Sequence, residues 1–210
     1  MEKSKYVFLA LSKKANNLTY TVPSRARLVL HILDISHLNS DNTITIKLKT
    51  DSVVKLVISC FAKKKLQKNF QVKIDHLEDN ASSSINAYVV AAEQANVKVK
   101  VVSDIKPKTT KNATAQEIKG VLLSNSSSIH GEPQLIIDDN NVKATHAMAI
   151  GSINPNQIFY LTSRGIDKAT ATQLILMGYF NAALNIIEKK KERNEWISKV
   201  KKLFKENRPC

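Results

Sequence analysis

The sequence contains little cysteine and little glycine. Only two cysteines occur in 210 residues, Cys60 within an apolar run and Cys210 at the last position. Two thiols cannot build a disulfide framework or a four-ligand zinc site within one chain, so we expect a reducing, cytoplasmic compartment. All five glycines lie at or after Gly120, so we expect the turns of the first half to use asparagine and aspartate, which tolerate left-handed backbone.

The sequence also lacks a long apolar run and the short motifs of common enzymes. No stretch approaches the roughly 18 apolar residues that span a bilayer, so we expect neither membrane insertion nor secretion. There is no Gly-rich phosphate loop before a Lys-Ser/Thr pair, no Gly-x-Ser-x-Gly elbow, no His-Glu-x-x-His and no Cys-x-x-Cys. Because no nucleophile, base or metal set can be named, we expect a protein that is not an enzyme.

The residues that could carry chemistry each have a structural interpretation. Cys60 has apolar neighbours and resembles a small core residue, although three lysines just downstream leave a reactive thiolate open. The pair Asp138-Asp139 would point to opposite faces of a strand, which favours turn carboxylates over catalytic ones. Three histidines have no second ligand at metal spacing and are interpreted as structural: His31, His37 and His76.

An excess of positive charge is the main compositional feature. Lysine and arginine number 32 against 18 aspartates and glutamates, a formal charge of +14. This charge would attract nucleic acid, anionic membrane or an acidic protein, and solvated lysines on an ordinary surface would also explain it. The tail from Glu188 to Arg208 is rich in lysine but lacks the interleaved aromatics of base-stacking modules, which favours a solvated or protein-facing helix over nucleic acid.

From residue 5 to about residue 148 the sequence predicts β-structure. Short runs with β-branched or alternating character are separated by polar turn clusters, and helical periodicity is nearly absent. The runs are Tyr6–Ala10, Leu18–Val22, Ala26–Ile35, Thr43–Lys49, Val53–Cys60, Phe70–Ile74, Ala87–Ala91, Val97–Val102, Ile118–Ser124, Gln134–Ile137 and Val142–Ala149. Such strands fit a β-solenoid, a sandwich or a barrel, and the pattern alone does not rank these three.

The pattern becomes helical at Asn154. Asn154 is a suitable N-cap before a proline at the first helical position, and Arg164-Gly165 supplies a cation and a left-handed stop, which predicts a helix over residues 155–164. Asp167 can cap a second helix. The apolar face of that helix would consist of Ala171, Leu174, Ile175, Met177, Phe180, Leu184 and Ile187.

A third amphipathic segment follows. One side of it carries Trp196, Ile197, Val200, Leu203 and Phe204, and the other side carries lysines. We therefore predict a β domain over residues 1–150 and a helical region over residues 151–210.

Residues 116–187 carry three blocks that match a known pattern. Residues 116–124 look like a segment that ends in Leu-Leu-Leu-Ser. Residues 133–146 resemble Pro-x-Leu-Glu-Ile-x-Ala-Asp-Asp-Val-Lys-Cys-Ser-His. Residues 158–166, Ile-Phe-Tyr-Leu-Thr-Ser-Arg-Gly-Ile, are similar to Leu-Phe-Tyr-Leu-x-Ser-Arg-Gly-Ile, the most specific of the three. In this order and spacing the blocks resemble the SufB/SufD family of iron–sulfur cluster assembly proteins, in a shortened, SufD-like form.

The resemblance implies a right-handed parallel β-helix followed by a small C-terminal α-helical region. In the family, SufB and SufD pair through their β-helices, and the helical region binds the ATPase SufC. The resemblance thus implies a SufC-type ATPase as one partner and, through the β-helix, a SufB-type scaffold or a second copy of the chain as another. The implied ATPase-docking residues are Phe159, Tyr160, Arg164, Gly165 and Phe180.

The same resemblance implies a cluster-facing position at His146, which matches the SufD histidine of the Cys-Ser-His block. Ala144 replaces the family cysteine and Ala147 the glycine after the histidine, so no thiolate is present where soft ligation of iron would be expected. We therefore expect no stably bound cofactor but a transient iron–sulfur cluster at a partner interface. A packed strand histidine is the alternative for His146, and a basic nucleic-acid-binding or general protein-interaction module is the alternative for the chain.

Overall fold

The computed structural model describes residues 3–185, 187 and 189–206; Cys210, one of the two cysteines, lies outside them. Within these residues eleven strands are followed by three helices. The strands are β1 (Lys3–Ala10), β2 (Ala15–Val22), β3 (Ala26–Asp34), β4 (Ser40–Leu48), β5 (Val53–Ala62), β6 (Gln67–His76), β7 (Ser82–Ala91), β8 (Asn96–Ile105), β9 (Ala113–Leu122), β10 (Ser128–Ile137) and β11 (Lys143–Gly151). The helices are α1 (Pro155–Thr162), α2 (Lys168–Leu184) and α3 (Lys190–Glu206). Each predicted run overlaps one strand.

Successive strands alternate between two sheets in which every pair is parallel. The odd-numbered strands form sheet A in the order β1-β3-β5-β7-β9-β11, and the even-numbered strands form sheet B in the order β10-β8-β6-β4-β2. The chain therefore winds through one strand of each sheet per turn, and makes a parallel β-helix of about five turns. This confirms the β-helix that the family resemblance implied and that strand pattern alone could not select.

The core lies between the two sheets, where inward side chains stack from turn to turn. Leu56 is in register with Ile85, and Cys60 with Val89, and all four are buried. Because side chains alternate along a strand, every second residue contributes to this apolar interior. Cys60 is thus a core residue, as predicted. Burial, and secondarily the nearby Asp34 carboxylate, raises the pKa of its thiol far above the usual range.

The turns of the first half agree only in part with the prediction that asparagine and aspartate would occupy them, since Asp51 and Asn80 are left-handed but lysine, arginine and glutamate are too. The non-glycine residues at positive φ are Arg25, Asp51, Lys64, Asn80, Glu93, Lys108 and Lys111. Backbone hydrogen bonds between stacked turns account for this. The N–H of Arg25 donates to the carbonyl of Thr50 (3.0 Å), and the N–H of Lys111 donates to that of Asn141 (2.9 Å). The stacking fixes the backbone, so the turn tolerates arginine, lysine or glutamate there.

The ends of α1 and α2 follow the predicted capping residues. The side chain of Asn154 accepts a hydrogen bond within the first turn of α1 (2.9 Å), with Pro155 as the first helical residue. Gly165 has a φ of +83°, and Asp167 caps α2 by accepting from the N–H of Thr170 (3.0 Å). These residues define where α1 begins and where the turn between α1 and α2 lies.

α2 and α3 pack against the outer face of sheet A. Phe204 of α3 lies edge-on to Phe180 of α2, with ring centroids 5.1 Å apart, and to Phe61 of β5 at 5.5 Å. Val90 and Val121 of sheet A join this second hydrophobic cluster. None of the α1 side chains is buried. Across the residues described, no helix combines the length and apolarity needed to cross a membrane.

Candidate functional sites: the α1 surface and the open end of the β-helix

α1 presents two large aromatic side chains to solvent. Phe159 is 72% exposed and Tyr160 is 54% exposed. The guanidinium carbon of Arg164 lies 4.6 Å from the centroid of the Tyr160 ring, a cation–π contact that restricts both side chains. We refer to these three residues as the α1 surface. All three belong to the sequence block with the most specific resemblance.

Gly165 and Phe180 have different roles from the α1 surface. Gly165 connects α1 to α2 through its left-handed backbone, and a side chain added there would meet no atom within 4 Å. Phe180 is fully buried against Phe204. In this structure the Phe180 ring packs in the cluster that attaches the helices to sheet A, so it contacts no partner surface directly, and its part in docking stays a prediction.

The last turn of the β-helix is open. Among the described strands, β11 pairs only with β9 and β10 only with β8, so each has an edge without a strand partner. Met148 of β11 and Ile136 of β10 are both half-exposed. Edge strands with unpaired backbone groups are templates for pairing with another chain. We refer to β10 and β11 together as the open end.

His146 lies in β11 on the face that points into the β-helix. The sulfur of Met148 would be only 2.6 Å from a Cβ added to Gly131 of the opposite sheet, so Met148 faces inward. Residues two apart share a face of a strand, and His146 and Ala144 therefore point the same way. His146 is exposed because β11 belongs to the last turn. The predicted histidine is thus at the open end, beside the alanine that replaces the family cysteine.

A chain of buried polar side chains runs inside the β-helix and was not predicted from the sequence. His76 Nε2 lies 2.9 Å from Ser83 Oγ, which donates to Thr114 Oγ1 at 2.8 Å. Thr114 in turn donates to Ser103 Oγ (2.8 Å), and Gln116 Nε2 donates to the same oxygen (2.8 Å). All five residues are buried. We refer to them as the interior polar chain. In the sequence, the sign of this chain was a set of polar residues at positions where strand alternation predicts inward-facing side chains.

His76 is the structural histidine that was predicted. Burial is the main effect on its pKa and lowers it, while hydrogen bonding to Asn112 and Ala81 and the charges of Asp75 and Asp104 oppose that shift. Its Nδ1 lies 3.4 Å from Asn112 Oδ1 and its Nε2 lies 2.9 Å from Ser83 Oγ, so both ring nitrogens have a polar neighbour. His76 thereby closes one end of the interior polar chain.

A buried ion pair lies apart from that chain. Lys68 Nζ bonds the carboxylate of Asp34, and neither side chain is exposed. Asp34 also accepts from the hydroxyls of Ser36 (2.7 Å) and Ser40 (2.8 Å), so its charge is compensated on several sides.

The other predicted chemical residues have structural positions. Asp138 and Asp139 lie in the loop after β10, where Asp139 accepts from the N–H of Asn141 (3.2 Å), as expected for a turn carboxylate. His31 is buried and His37 is exposed. In the described part of the chain, no group of three or more His, Cys, Asp or Glu is placed to hold a metal ion.

The fold and these two surfaces define a β-helical protein with exposed aromatic side chains on α1 and unpaired strand edges at its last turn. Its sequence matches the family model "SUF system FeS cluster assembly, SufBD core domain" over residues 12–179. The chain belongs to the SufBD family.

Relatives within the family are considerably longer than this chain. SufD of Bacillus subtilis is 27% identical over 137 residues, which cover 65% of this chain and 31% of the relative. SufB of the same organism is 27% identical over 107 residues, covering 51% and 23%. A SufBD family protein of Archaeoglobus fulgidus is 41% identical over 63 residues, covering 30% and 17%. The chain thus spans about a third or less of the length of these relatives.

Proposed function

We propose that this chain is a SufD-like, non-catalytic subunit of an iron–sulfur cluster assembly complex. In this proposal the α1 surface docks a SufC-type ATPase, and the open end pairs with a SufB-type scaffold or with a second copy of the chain. The observation that supports it most is the exposure of Phe159 and Tyr160 within the block resembling the family's Leu-Phe-Tyr-Leu-x-Ser-Arg-Gly-Ile. Of the two Bacillus subtilis proteins, SufD matches more of this chain than SufB does, at 65% against 51%.

The α1 surface has the chemistry of a protein contact. Burying a phenylalanine side chain is favourable by about 1.5–3 kcal/mol, and Phe159 gains little of this in the isolated chain. Aromatic and arginine side chains also dominate the binding energy of protein interfaces. A partner that covers Phe159 and Tyr160 would bury both rings while keeping the Arg164 contact.

Co-purification with a SufC-type ATPase tests the docking proposal. Under reducing conditions with nucleotide, we expect the wild type to retain the ATPase and the Phe159→Ala, Tyr160→Ala double variant to lose it. Tyr6→Ala is the matched control, because Tyr6 is 56% exposed but lies on β1, at the opposite edge of sheet A from β11, which leads into α1. Absence of a wild-type complex, or equal loss in the control, would contradict the proposal.

The cluster enters this proposal as a substrate of the complex and not as a resident cofactor. His146 would face it from the open end and supply one nitrogen ligand or one proton, while a thiolate would come from the partner because Ala144 has none. Anaerobic reconstitution of the complex with His146→Ala should then yield less assembled cluster than the wild type. An unchanged yield would favour a purely structural role for His146 in the last turn.

A second candidate function, nucleic-acid binding, is favoured only by the charge of +14. Trp196 offers no stacking platform, since Lys199 Nζ lies 4.3 Å from its ring centroid and Phe8 packs 5.9 Å away. Binding to a random duplex that weakens steeply as salt rises from about 50 mM would support this alternative.

A further inference from the structure

We propose that Gln116 is a positioning residue for His146, whose imidazole donates a hydrogen bond to Gln116 Oε1 and is held in a single tautomer. The consequence for cluster assembly depends on the function proposed above for the open end. The hydrogen bond itself does not.

The Gln116 amide has a fixed orientation. Its Nε2 donates one hydrogen to Ser103 Oγ (2.8 Å) and the other to the backbone carbonyl of Gln134 (2.9 Å). A carbonyl oxygen can only accept, so Nε2 and not Oε1 must face Gln134. Both amide hydrogens are therefore used, and the amide cannot flip without losing a bond.

Gln116 Oε1 is left as a buried acceptor without a partner among the described residues. Gln116 is 2% exposed, so water does not readily replace the missing donor. A buried acceptor left unsatisfied is unfavourable, and native structures usually supply a donor for it. The atom thus marks a place where a donor from the next turn of the β-helix would fit.

His146 is the residue that the next turn supplies at this place. Gln116 of β9 and His146 of β11 are directly paired in register, and both point into the β-helix. Paired residues of adjacent strands lie about 5 Å apart, within reach of an imidazole nitrogen. Gln116 is held by two hydrogen bonds, whereas the exposed His146 side chain can change rotamer within nanoseconds, so in the proposed contact it is the imidazole that turns toward the amide.

One hydrogen bond at one ring nitrogen decides the chemistry of the other. If the nitrogen facing Gln116 carries the proton, the second nitrogen of a neutral imidazole has a lone pair directed away from the amide. Histidines that bind metals commonly donate their other N–H to a neighbouring acceptor in this way. Gln116 would thus present His146 at the open end as a ready nitrogen ligand or proton acceptor.

Nuclear magnetic resonance of the ¹⁵N-labelled full chain tests the proposal without any partner. Two-bond ¹H–¹⁵N correlations, recorded where the imidazoles are neutral, report which ring nitrogen carries the proton. We expect the ratio of the two tautomers to be larger for His146 than for the exposed His37 by about fivefold or more. One net hydrogen bond to a single tautomer shifts the ratio by about that factor. In Gln116→Leu the ratio should return to that of His37.

Thr114→Val is the matched control, because it removes another hydroxyl of the interior polar chain and leaves the amide contacts of Gln116 in place. Its His146 tautomer ratio should equal that of the wild type. A wild-type His146 with the same ratio as His37 would overturn the proposal without any variant, as would a single tautomer that persists in Gln116→Leu. Because no ATPase or scaffold is present, failure here is distinct from failure of the docking proposal.

Discussion

At the residue scale, the pair of Lys68 and Asp34 places one charge of each sign where water does not reach. Each charge stabilises the other, and the hydroxyls of Ser36 and Ser40 also donate hydrogen bonds to the carboxylate. Removing one member of such a pair leaves an isolated buried charge, which is more unfavourable than the pair was favourable. The two residues should therefore tolerate joint replacement better than single replacement.

The first prediction follows from that asymmetry. Lys68→Met should lower the free energy of unfolding by about 3–5 kcal/mol, because the Asp34 carboxylate loses its cation, and adding Asp34→Leu should recover much of the loss. Urea denaturation measures both variants. Lys100→Met is the control: Lys100 lies 2.9 Å from Glu132, both side chains are about two-fifths exposed, and loss of this contact should lower the stability by less than about 1 kcal/mol. Similar losses in Lys68→Met and Lys100→Met would show that burial of the pair does not matter.

His76 makes stability depend on pH. Its folded-state pKa lies below the ordinary value of about 6.5, mainly through burial, so the unfolded chain binds the proton more readily. The stability that neutral His76 contributes is fully present above about pH 6.5 and is lost as the pH falls through the folded pKa.

The second prediction concerns the slope of the free energy of unfolding against pH. In His76→Gln the free energy of unfolding should fall less steeply between about pH 7 and pH 5, by at most about 1.4 kcal/mol per pH unit. Urea denaturation at several pH values measures both proteins, and the carboxylates common to both cancel in the difference. Parallel curves would mean that His76 titrates alike in the folded and unfolded chains.

At the scale of turns, strands and helices, the non-glycine residues with left-handed backbone show how stacking stabilises the turns. Lys64 has a φ of +61° in the turn between β5 and β6, and its neighbour Lys65 is also exposed but is not at positive φ. A left-handed conformation costs a non-glycine residue about 1–2 kcal/mol, which the stacked turns offset. Glycine would remove that cost but would lose more chain entropy on folding.

The third prediction compares two glycine substitutions in that turn. Lys64→Gly should be neutral or slightly stabilising, because relief of the left-handed strain offsets the entropy of glycine. Lys65→Gly should cost about 0.5–1 kcal/mol, since only the entropy term applies. Thermal or urea denaturation measures the difference, and equal losses in the two variants would show that no strain is stored at Lys64.

The strands could be predicted locally, but their assembly could not. The alternation of apolar and polar residues located every strand, because side chains that point into the β-helix are mostly apolar, as at Leu56 and Cys60. The spacing between stacked residues varies along the β-helix, since Lys3 pairs with Ala26 whereas Ser82 pairs with Ala113. No fixed repeat therefore marks the sheets or reveals which polar residues meet inside, so the interior polar chain was missed.

In the helices, apolar periodicity and the family resemblance led to different predictions for the same residues. Periodicity placed Phe180 on the apolar face of α2, and the structure buries it there. Its docking role came from the resemblance alone and stays a prediction. Phe159 and Tyr160 show the opposite case: apolar residues in a helix usually face a core, and nothing in their spacing indicated exposure. The resemblance was needed to identify the α1 surface.

At the scale of the whole molecule, the β-helix has two ends of different character. The first turn carries Tyr6 on the edge strand β1, and the last carries Met148 and Ile136 on the edge strands of the open end. Within the function proposed here, only the open end contains His146, so only that end should pair with a SufB-type scaffold or a second copy. A charge introduced on an edge strand opposes such pairing.

The fourth prediction distinguishes the two ends. Met148→Lys and, separately, Ile136→Lys should weaken association with a SufB-type partner, or self-association, by about tenfold or more, because each places a charge against the incoming strand. Tyr6→Lys, at the other end, should leave association unchanged. Sedimentation analysis measures the affinities. Ile136 serves as a second variant because the Met148 side chain also packs near Gly131, and a melting curve would reveal any loss of folding. Weakening by Tyr6→Lys alone would place the interface at the first turn and separate it from His146.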